Sequence, residues 1–502
     1  TGLGTKDDIQ SMSFDTVIKE SKNDNGDTIA TTYYVLKNEE DYRNVKVTFE
    51  NSYIGRYMFL GCTGLQVVRV PSNVEIIDYA AFDGCVNLRA IDIPFVGFSK
   101  YPTIDGKPVS TESIESERYL FGWIFGSTNH EGEAATTQCY NSVKSTDSES
   151  DNDEVIALPK WFTFYIPESL NSVFISNDYT NTSDENHFGE ENIGHGAFMY
   201  CKNVVYVNLP STLKYIGRYA FYRSGVSDIE IPSGVGTIED GAFQESDISE
   251  IIIRNGQIGV KQFYGCDFLK KVTVLSEVIT IGYAAFGACT SLEEIILPYV
   301  GHNYNDVPGL TGEQKLFGYI FGSIKNEGSY AAVQYYSNTE AKTYYIPSSL
   351  RKVQITNDNQ ISYGAFQNCE KITCVILPDS RTIDGLTTPF TSIGDYAFSN
   401  CTALIGGHYI DDTVVLNEDG IKVENPLLST AETYMRIPDS VVNLGAYAFN
   451  NCVSLNSVKY LGNNLTEIKS HTFYGCSSLK NFINNTSSKN VTFDSNITSL
   501  GD

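Results

Sequence analysis

This 502-residue chain has eleven cysteines, which could bind a metal ion or form disulfides. No two are arranged as Cys-x-x-Cys, so the sequence does not favour a tetrahedral zinc site. Cysteines at the same position of neighbouring repeats need not have the distance and orientation that a disulfide requires. We therefore expect buried free thiols. Cys374, at an outward strand position, and Cys139, in a loop, are the reactive candidates. The other nine follow one recurring motif: Cys62, Cys85, Cys201, Cys266, Cys289, Cys369, Cys401, Cys452 and Cys476.

The histidines and carboxylates form no recognisable catalytic or metal-binding pattern in the sequence. None of the six histidines has another at metal-ligand spacing: His130, His187, His195, His302, His408 and His471. The sequence has no nucleophile elbow, Gly-rich phosphate loop or EF-hand. The acidic run Asp151–Glu154 lacks the central Gly and the final bidentate Glu of a calcium loop. We therefore predict no catalytic residue, no metal site, no cofactor and no enzymatic activity.

The element that positions most of these residues is a repeat built around Ala-Phe. Ile281-Gly-Tyr-Ala-Ala-Phe286 runs on to Cys289, and many segments share this form. Differences such as 82 − 59 = 23 and 263 − 243 = 20 set a period in the leucine-rich-repeat range. The repeated Phe should form a buried column. Its positions are Phe59, Phe82, Phe198, Phe221, Phe243, Phe263, Phe286, Phe366, Phe398, Phe449 and Phe473.

A short strand follows each Phe. Leu88-Arg-Ala-Ile-Asp-Ile-Pro94 alternates apolar and variable residues, as do 292–298 and 372–378. Such strands are too short to bury one face alone, so they must stack in parallel. On the opposite side, Ile-Gly-x-x-Ala-Phe should turn the chain with at most one helical or 3₁₀ turn, its Gly permitting the bend. Nine prolines are assigned to the slot that ends the strand: Pro71, Pro94, Pro167, Pro210, Pro232, Pro298, Pro347, Pro378 and Pro438.

The sequence thus predicts a leucine-rich-repeat solenoid, a curved right-handed stack with one short parallel strand per repeat and turns or short helical segments on the convex side. Ile-Gly-x-x-Ala-Phe-x-x-Cys-x-x-Leu-x-x-Ile-x-Ile-Pro resembles the BspA-like (treponemal-type) leucine-rich repeat over most of residues 51 to 480. The resemblance implies a bacterial or protist surface protein, often an adhesin. It supplies no catalytic residues to transfer.

Departures from the repeat define the expected domain organisation. Residues 1–50 lack it, and strands over Ile29–Leu36 and Val45–Phe49 are expected to cap the stack. The solenoid is predicted over 51–502, with insertions near 95–165, 299–345 and 405–435, the last an inserted hairpin. Two insertions are copies of one design, and Leu120–Ser127 resembles Leu316–Ser323. The first also has an acidic, Ser-rich run, 145–154, expected to be a mobile loop. The sequence ends mid-repeat, which predicts that the natural protein continues.

Charge restricts the partners. The formal net charge is −26, from 61 acidic and 35 basic residues, which argues against nucleic acid and anionic lipid. No apolar run is long enough to cross a membrane. We expect an extracellular or cell-surface location, with the signal peptide and any anchor absent from this sequence.

The remaining candidate site is a surface. Outward strand positions share no charge or aromatic stripe, whereas tyrosines crowd one insertion. Exposed tyrosines are good interface anchors, so we predict that Tyr330, Tyr335 and Tyr336 contact a ligand. Tyr344 and Tyr345 are near them, and at least one should be core. The expected function is an adhesin for a protein or glycan. The alternative is a stalk or spacer that presents another domain.

Overall fold

A computed structural model describes residues 52–99, 117–140, 160–175, 192–304, 307–408, 433–462, 464–465 and 467–484, and the backbone of short strands elsewhere. The chain divides into two compact units. Unit 1 is Thr1–Ile251 with Gln262–Phe268, and unit 2 is Ile252–Lys261 with Leu269–Asp502. The predicted strand over Val45–Phe49, the acidic run 145–154 and most of the expected hairpin after His408 lie outside the described residues.

Unit 1 is built from short strands. In chain order they are β1 (Phe14–Lys22), β2 (Thr28–Leu36), β3 (Tyr53–Ile54), β4 (Val67–Arg69), β5 (Ile76–Ile77), β6 (Ala90–Ile93), β7 (Thr103–Ile104), β8 (Lys107–Pro108), β9 (Glu133–Cys139), β10 (Trp161–Pro167), β11 (Ser172–Ile175), β12 (Asn192–Ile193), β13 (Tyr206–Asn208), β14 (Tyr215–Ile216) and β15 (Thr237–Ile238). Among its described residues the 3₁₀ turns are Glu117–Tyr119 and Phe121–Ile124.

The division between the units falls within β16 (Glu250–Ile258). Unit 2 continues with β17 (Lys271–Ile281), β18 (Glu294–Leu297), β19 (Ser329–Tyr335), β20 (Ala341–Pro347), β21 (Lys352–Ile355), β22 (Gln360–Ile361), β23 (Cys374–Ile376), β24 (Ser380–Ile383), β25 (Leu386–Pro389), β26 (Ser392–Ile393), β27 (Gly407–His408), β28 (Val415–Leu416), β29 (Lys422–Val423), β30 (Thr433–Arg436), β31 (Asn443–Leu444), β32 (Ser457–Tyr460), β33 (Glu467–Ile468), β34 (Asn481–Asn484) and β35 (Thr492–Phe493). Its 3₁₀ turns are Glu313–Lys315 and Phe317–Ile320.

Parallel ladders connect the repeats within each unit. In unit 1, β4, β6, β11 and β13 form one ladder, with Val68, Ile91, Val173 and Val207 in register. In unit 2, β17, β18, β21 and β23 form the equivalent ladder. The predicted leucine-rich-repeat stack of short parallel strands is therefore confirmed. The described residues contain turns and short 3₁₀ segments on the other side of the repeat, and none of them is α-helical.

A second parallel ladder was not predicted. It consists of two-residue strands that end at the Ile of Ile-Gly, and β12, β14 and β15 form it in unit 1. In unit 2 it joins β22, β26 and β31. Each repeat therefore contributes two hydrogen-bonded edges to the stack. The antiparallel pairs are β1–β2, β7–β8, β9–β10, β19–β20, β24–β25, β27–β30 and β28–β29.

The predicted phenylalanine column lies in the core: ten of its eleven members are buried, and Phe59 is half-buried. Phe198, Phe221 and Phe243 are fully buried, with ring centroids 5.2 and 5.0 Å apart and planes within 1° of parallel. In unit 2, Phe366 and Phe398 repeat this stacking at 5.2 Å. Because each ring covers the next, the column supplies apolar burial at every layer.

The backbone bends at two fixed places in every repeat. The second residue before and the second residue after each column Phe have left-handed φ, whatever their type. The residues before it are Tyr57, Ala80, Gly196, Tyr219, Gly241, Lys261, Ala284, Gly364, Tyr396, Tyr447 and His471. The residues after it are Gly61, Gly84, Tyr200, Arg223, Glu245, Gly265, Ala288, Asn368, Asn400, Asn451 and Gly475.

The prediction that the Gly of Ile-Gly makes the bend was wrong. Gly394 and Gly445 lie outside the left-handed region, and they serve close packing. A Cβ on Gly445 would lie 2.4 Å from the backbone carbonyl carbon of Gly394 in the preceding repeat. On Gly394 it would lie 2.7 Å from the carbonyl carbon of Ser362. At these two layers the glycine lets adjacent repeats meet backbone to backbone.

Two of the nine prolines also lie elsewhere than predicted. Pro167 and Pro347 end β10 and β20, which are strands of antiparallel hairpins and not of the repeat ladder. Their Tyr-Ile-Pro alternation imitates a repeat strand, because both kinds of strand bury one face.

Candidate functional site

Two hairpin modules interrupt the repeats with one design. The first module joins the 3₁₀ turn Phe121–Ile124 to β9 and β10, and the second joins Phe317–Ile320 to β19 and β20. Both turns are short and apolar, and both enter the core. The Phe121 ring packs against Phe198 with centroids 4.8 Å apart, and the Phe317 ring packs against Phe366 at 4.7 Å, with the ring planes tilted by 34° and 31°. The predicted anchoring of both insertions in the core is confirmed.

A buried glutamine fastens each module. Gln138 accepts a hydrogen bond from the backbone N–H of Gly122 at 2.8 Å, and Gln334 accepts one from Gly318 at 2.8 Å. The Gln138 amide donates to the carbonyl of Ala197 at 2.8 Å. Both glutamines are fully buried. An amide is suited to this place because it satisfies a donor and an acceptor at once.

The structure brings together three residues in the first module that the sequence analysis did not connect. Asp83, His130 and Glu133 each offer one ligand atom, and these atoms all lie within 4.8 Å of one another. His130 Nε2 lies 2.9 Å from Asp83 Oδ1. Backbone N–H groups hold the Glu133 carboxylate, with Gly84 donating to Oε1 at 3.2 Å and His130 to Oε2 at 3.1 Å. Asp83 and Glu133 are buried, and the His130 side chain is 34% exposed.

Burial is the main electrostatic influence on this cluster. It raises the pKa of Glu133, while the hydrogen bond and charge of His130 act in the opposite direction. A signal for the cluster was present in the sequence. At the equivalent positions the second module has Gly287, Asn326 and Ser329, so all three chemically active residues are confined to one copy.

The three predicted ligand-binding tyrosines occupy different environments. Tyr335 is 38% exposed, at the end of β19. The Tyr330 side chain points the other way, and its hydroxyl oxygen is buried. Tyr336 is half-buried, and its ring covers Gly312. Tyr344 is fully buried, which confirms that one of the two neighbouring tyrosines is core. A ligand-binding role for Tyr330, Tyr335 and Tyr336 stays a prediction.

A series of rings begins beside the second module. Tyr363 donates a hydrogen bond to Asn338 Oδ1, in the turn between β19 and β20, at 3.1 Å. Ring centroids then follow at 5.5, 4.9, 4.7 and 5.4 Å. We call this series the aromatic row; it consists of Tyr363, Tyr396, Tyr447, His471 and Tyr474.

The aromatic row is partly open to solvent. Tyr474 is 62% exposed, and the other four residues are half-buried. Partial burial, with Tyr447 and the Asp395 carboxylate nearby, raises the pKa of Tyr396. Its phenol therefore stays protonated at neutral pH and can donate a hydrogen bond. No local motif predicts the row, because Tyr363, Tyr396, Tyr447 and His471 come from successive repeats and lie 24 to 51 residues apart in the chain.

The family model described as "BspA type Leucine rich repeat region" matches residues 30–102, 191–305, 334–407 and 429–499, in six copies. These segments make up about two thirds of the sequence. The chain belongs to the BspA-type leucine-rich-repeat family. The predicted resemblance is thereby confirmed.

Solved structures similar to this BspA-type chain include a leucine-rich repeat protein from Bacteroides ovatus, 17% identical, covering 94% of this chain and 88% of that one, with a TM-score of 0.26. The pneumococcal vaccine antigen PcpA is 18% identical over 63% of this chain and 76% of that chain, with a TM-score of 0.26. A leucine-rich cell surface protein from Faecalibacterium prausnitzii is 17% identical over 95% and 96%, with a TM-score of 0.22. No curated protein sequence matches significantly.

The cysteines of this BspA-type repeat are free thiols, and nine of the eleven are buried. Several donate to the column Phe carbonyl of the preceding repeat, as Cys266 does to Phe243 at 3.1 Å and Cys401 to Phe366 at 3.1 Å. Burial raises the pKa of Cys266 to about 12, so its thiol stays neutral. One prediction was wrong: Cys139 lies at the end of β9 and is fully buried, because the hairpin covers it.

The outward face of the BspA-type strand ladder pairs its charges internally. Lys271, Glu294 and Lys352 are in register on β17, β18 and β21. Glu294 lies 3.5 Å from the first lysine and 3.3 Å from the second. Arg69 and Asp92 pair in the same way in unit 1, at 3.3 Å. Separately, the described part of the chain has no helix with the length and apolarity of a membrane span.

Proposed function

We propose that this chain is a secreted or cell-surface binding protein, an adhesin that contacts a protein or glycan of a host or neighbouring cell. Its membership of the BspA-type family supports a surface role over a catalytic one. The observation that carries the proposal is the aromatic row. It gives unit 2 a partly exposed series of rings in contact, in which Tyr396, Tyr447 and His471 are stacked.

Three rings of the row lie at a repeat position whose backbone conformation is costly for residues with a Cβ. Tyr396, Tyr447 and His471 have φ of 58°, 56° and 61°. Other repeats have glycine, alanine, lysine or tyrosine at the equivalent place. A residue with a Cβ is disfavoured in this conformation by roughly 1–2 kcal/mol. Retaining three rings there offsets part of that cost by stacking, and it leaves aromatic surface facing outward.

The aromatic row suits a ligand better than the strand face does. Rings with polar edges bind sugar faces and protein side chains with little loss of side-chain entropy. On the strand face, Glu294 is already shared between two lysines, so a ligand would have to displace existing ion pairs. The net charge of −26 further disfavours nucleic acid as the partner.

The tyrosines predicted from the sequence extend this surface. The second hairpin touches the row through Asn338 and Tyr363, and Tyr335 is exposed on the same hairpin. We place Tyr335 and Tyr336 at the edge of the contact surface. The buried hydroxyl of Tyr330 gives that residue a supporting role.

Probing glycan and cell-surface protein arrays with the full chain tests the proposal. The triple variant Tyr396→Gly, Tyr447→Gly, His471→Gly uses the residue of sibling repeats, so it should fold and lose binding at least 10-fold. Tyr335→Ser should weaken binding less. The matched control is Glu294→Gln with Lys352→Gln, which should bind as the parent does.

The opposite pattern would move the site to the strand ladder. Binding that survives the row variant and is abolished by the strand-face control contradicts the assignment. A chain that retains no partner on either array would instead support the spacer function.

A further inference from the structure

We propose that Asp83, His130 and Glu133 bind one divalent transition-metal ion, with Zn²⁺ the best match to the donors. This site is independent of the aromatic row and lies in unit 1. Its residues reach the same point from two parts of the chain: Asp83 follows a column Phe, whereas His130 precedes β9 and Glu133 begins it.

The donor set selects the class of ion. One imidazole nitrogen and two carboxylate oxygens are ligands that Zn²⁺ accepts, leaving a fourth position for water. Ca²⁺ takes six to eight oxygens, and Mg²⁺ keeps most of its waters, so neither favours an imidazole ligand. The three residues therefore match Zn²⁺ better than the hard alkaline-earth ions.

The distances are close to those that an ion requires. Ligand atoms at about 2.0–2.2 Å from a tetrahedral zinc lie roughly 3.3–3.5 Å from one another. His130 Nε2 and Asp83 Oδ1 are already 2.9 Å apart, and the largest separation in the set is within 4.8 Å. Small side-chain rotations bring all three atoms to one ion.

The surroundings hold the ligands as supporting groups do in metal sites. The backbone N–H groups of Gly84 and His130 fix both oxygens of Glu133, and each oxygen keeps a further lone pair. Asp83 is 2% exposed and Glu133 is 8% exposed, whereas the His130 side chain is 34% exposed. The cluster is thus preorganised on one side and open to an entering ion on the other.

The second module shows that the fold does not need these charges. It has Gly287, Asn326 and Ser329 in their places, and it closes the same turn with a hydrogen bond from Ser329 Oγ to the carbonyl of Asn326 at 2.9 Å. Burying two carboxylates side by side is costly unless they are paired. A bound cation offsets the cost of burying the two carboxylates. The second module has no carboxylates at these positions and therefore does not bear that cost.

A purely structural reading is that His130 and Asp83 form an ion pair that fastens the loop. The two readings differ in their response to metal. An ion pair predicts loss of stability in metal-free buffer when His130 is replaced, and no metal binding. A metal site predicts a small change in metal-free buffer and a large loss of metal affinity.

Isothermal titration of the full chain with Zn²⁺ at pH 7.5 tests this, in a background with Cys62→Ser and Cys374→Ser to remove the two partly exposed thiols. We expect one ion per chain and a higher melting temperature with Zn²⁺ than with a chelator. The variant Asp83→Gly, His130→Asn, Glu133→Ser copies the second module. It should stay folded and bind Zn²⁺ at least 100-fold more weakly.

His130→Asn alone, a change at the partly exposed ligand, guards against misfolding of the triple variant. It should weaken binding at least 10-fold with an unchanged circular dichroism spectrum. The proposal is overturned if the background protein binds no Zn²⁺, or if either variant binds it as tightly as the background does.

Discussion

The two hairpin modules share one frame and differ in what the frame carries. In both, a column Phe donates its backbone N–H to the 3₁₀ turn, Phe82 to Ile124 at 2.9 Å and Phe286 to Ile320 at 2.9 Å. In both, a tyrosine and a serine hydroxyl meet at 2.6 Å. The frame is therefore set by the column, the turn and the buried glutamine, and it tolerates different residues at its edges.

The edges have diverged in chemistry. The first module has a carboxylate–histidine cluster where the second has Gly287, Asn326 and Ser329. The second has Tyr335 at the hairpin position of Cys139 in the first, exposed where the cysteine is buried. Duplication of a stable frame thus separates the residues that fold the module from those that are free to acquire a function.

The largest effect should come from the shared anchors. Phe121→Ala and Phe317→Ala each remove a buried ring that packs against the column, so each should lower the free energy of unfolding by about 3–5 kcal/mol. Urea unfolding followed by circular dichroism measures this. Trp161→Ala, at a 52% exposed position, is the control and should change little. A module that tolerates the loss of its anchor would not be docked in the column.

The next largest effect is a pH dependence expected beside the second module. Asp358 is fully buried, and its carboxylate accepts a hydrogen bond from the backbone of Val300 at 3.5 Å. Burial raises its pKa to about 7. The folded state therefore holds a proton that the unfolded state releases near pH 4, and stability should fall as pH rises from about 4 to 7.

The expected size of that fall is up to about 4 kcal/mol, from 1.36 kcal/mol per pKa unit. Urea unfolding at intervals between pH 4 and 8 measures it, and Asp358→Asn should flatten the profile over this range. Stability that rises with pH in the parent relative to Asp358→Asn would show that the carboxylate is ionised in the fold. The corresponding residue of the first insertion, Asp178, lies outside the described residues.

A smaller effect should distinguish the two glutamines. Gln138→Ala and Gln334→Ala each leave a buried glycine N–H without its acceptor, at about 1–3 kcal/mol. Gln138 also donates to Ala197, so its loss should lie at the upper end. Gln66→Ala, at an exposed position, serves as the reference. Equal and negligible losses would mean that water replaces the amide in both modules.

The smallest effect on stability is expected for a substitution of Tyr335, which is exposed where its counterpart Cys139 is buried. Tyr335→Cys should change the free energy of unfolding by less than about 0.5 kcal/mol, as surface changes do. Its thiol should react with a maleimide rapidly in the native protein, whereas Cys139 should react only on unfolding. Mass spectrometry after timed labelling identifies each site. Rapid labelling of Cys139 would contradict its burial under the hairpin.

Much of the fold could be predicted because its signals are periodic. Phe221, Phe243 and their equivalents recur at a fixed interval, and periodicity in the chain becomes a column when layers stack. The anchoring of Phe121 and Phe317 followed from internal duplication. The repeat ladder, the free thiols and the family could therefore be predicted without coordinates.

The candidate sites could be predicted less well because their residues belong to different repeats and come together only when the repeats stack. Asp83 and His130 are 47 residues apart, and Tyr396 and Tyr447 are 51 apart, so no local motif connects them. The burial of Cys139 and of the Tyr330 hydroxyl depends on which face of a hairpin is covered. The wrong interpretation of the Ile-Gly glycine has a similar cause, since the contact at Gly445 is with a different repeat.

The spacing of the phenylalanine column bears on how far the chain can reach. Phe198 and Phe221 are 23 positions apart, yet their rings are 5.2 Å apart. Each residue therefore advances the stack by about 0.2 Å, compared with about 1.5 Å in an α-helix and 3.3 Å in an extended strand. Such a repeat is an inefficient way to project a domain from a cell, and an efficient way to build lateral surface. Its geometry favours a protein that displays contacts along its side over one that serves as a spacer.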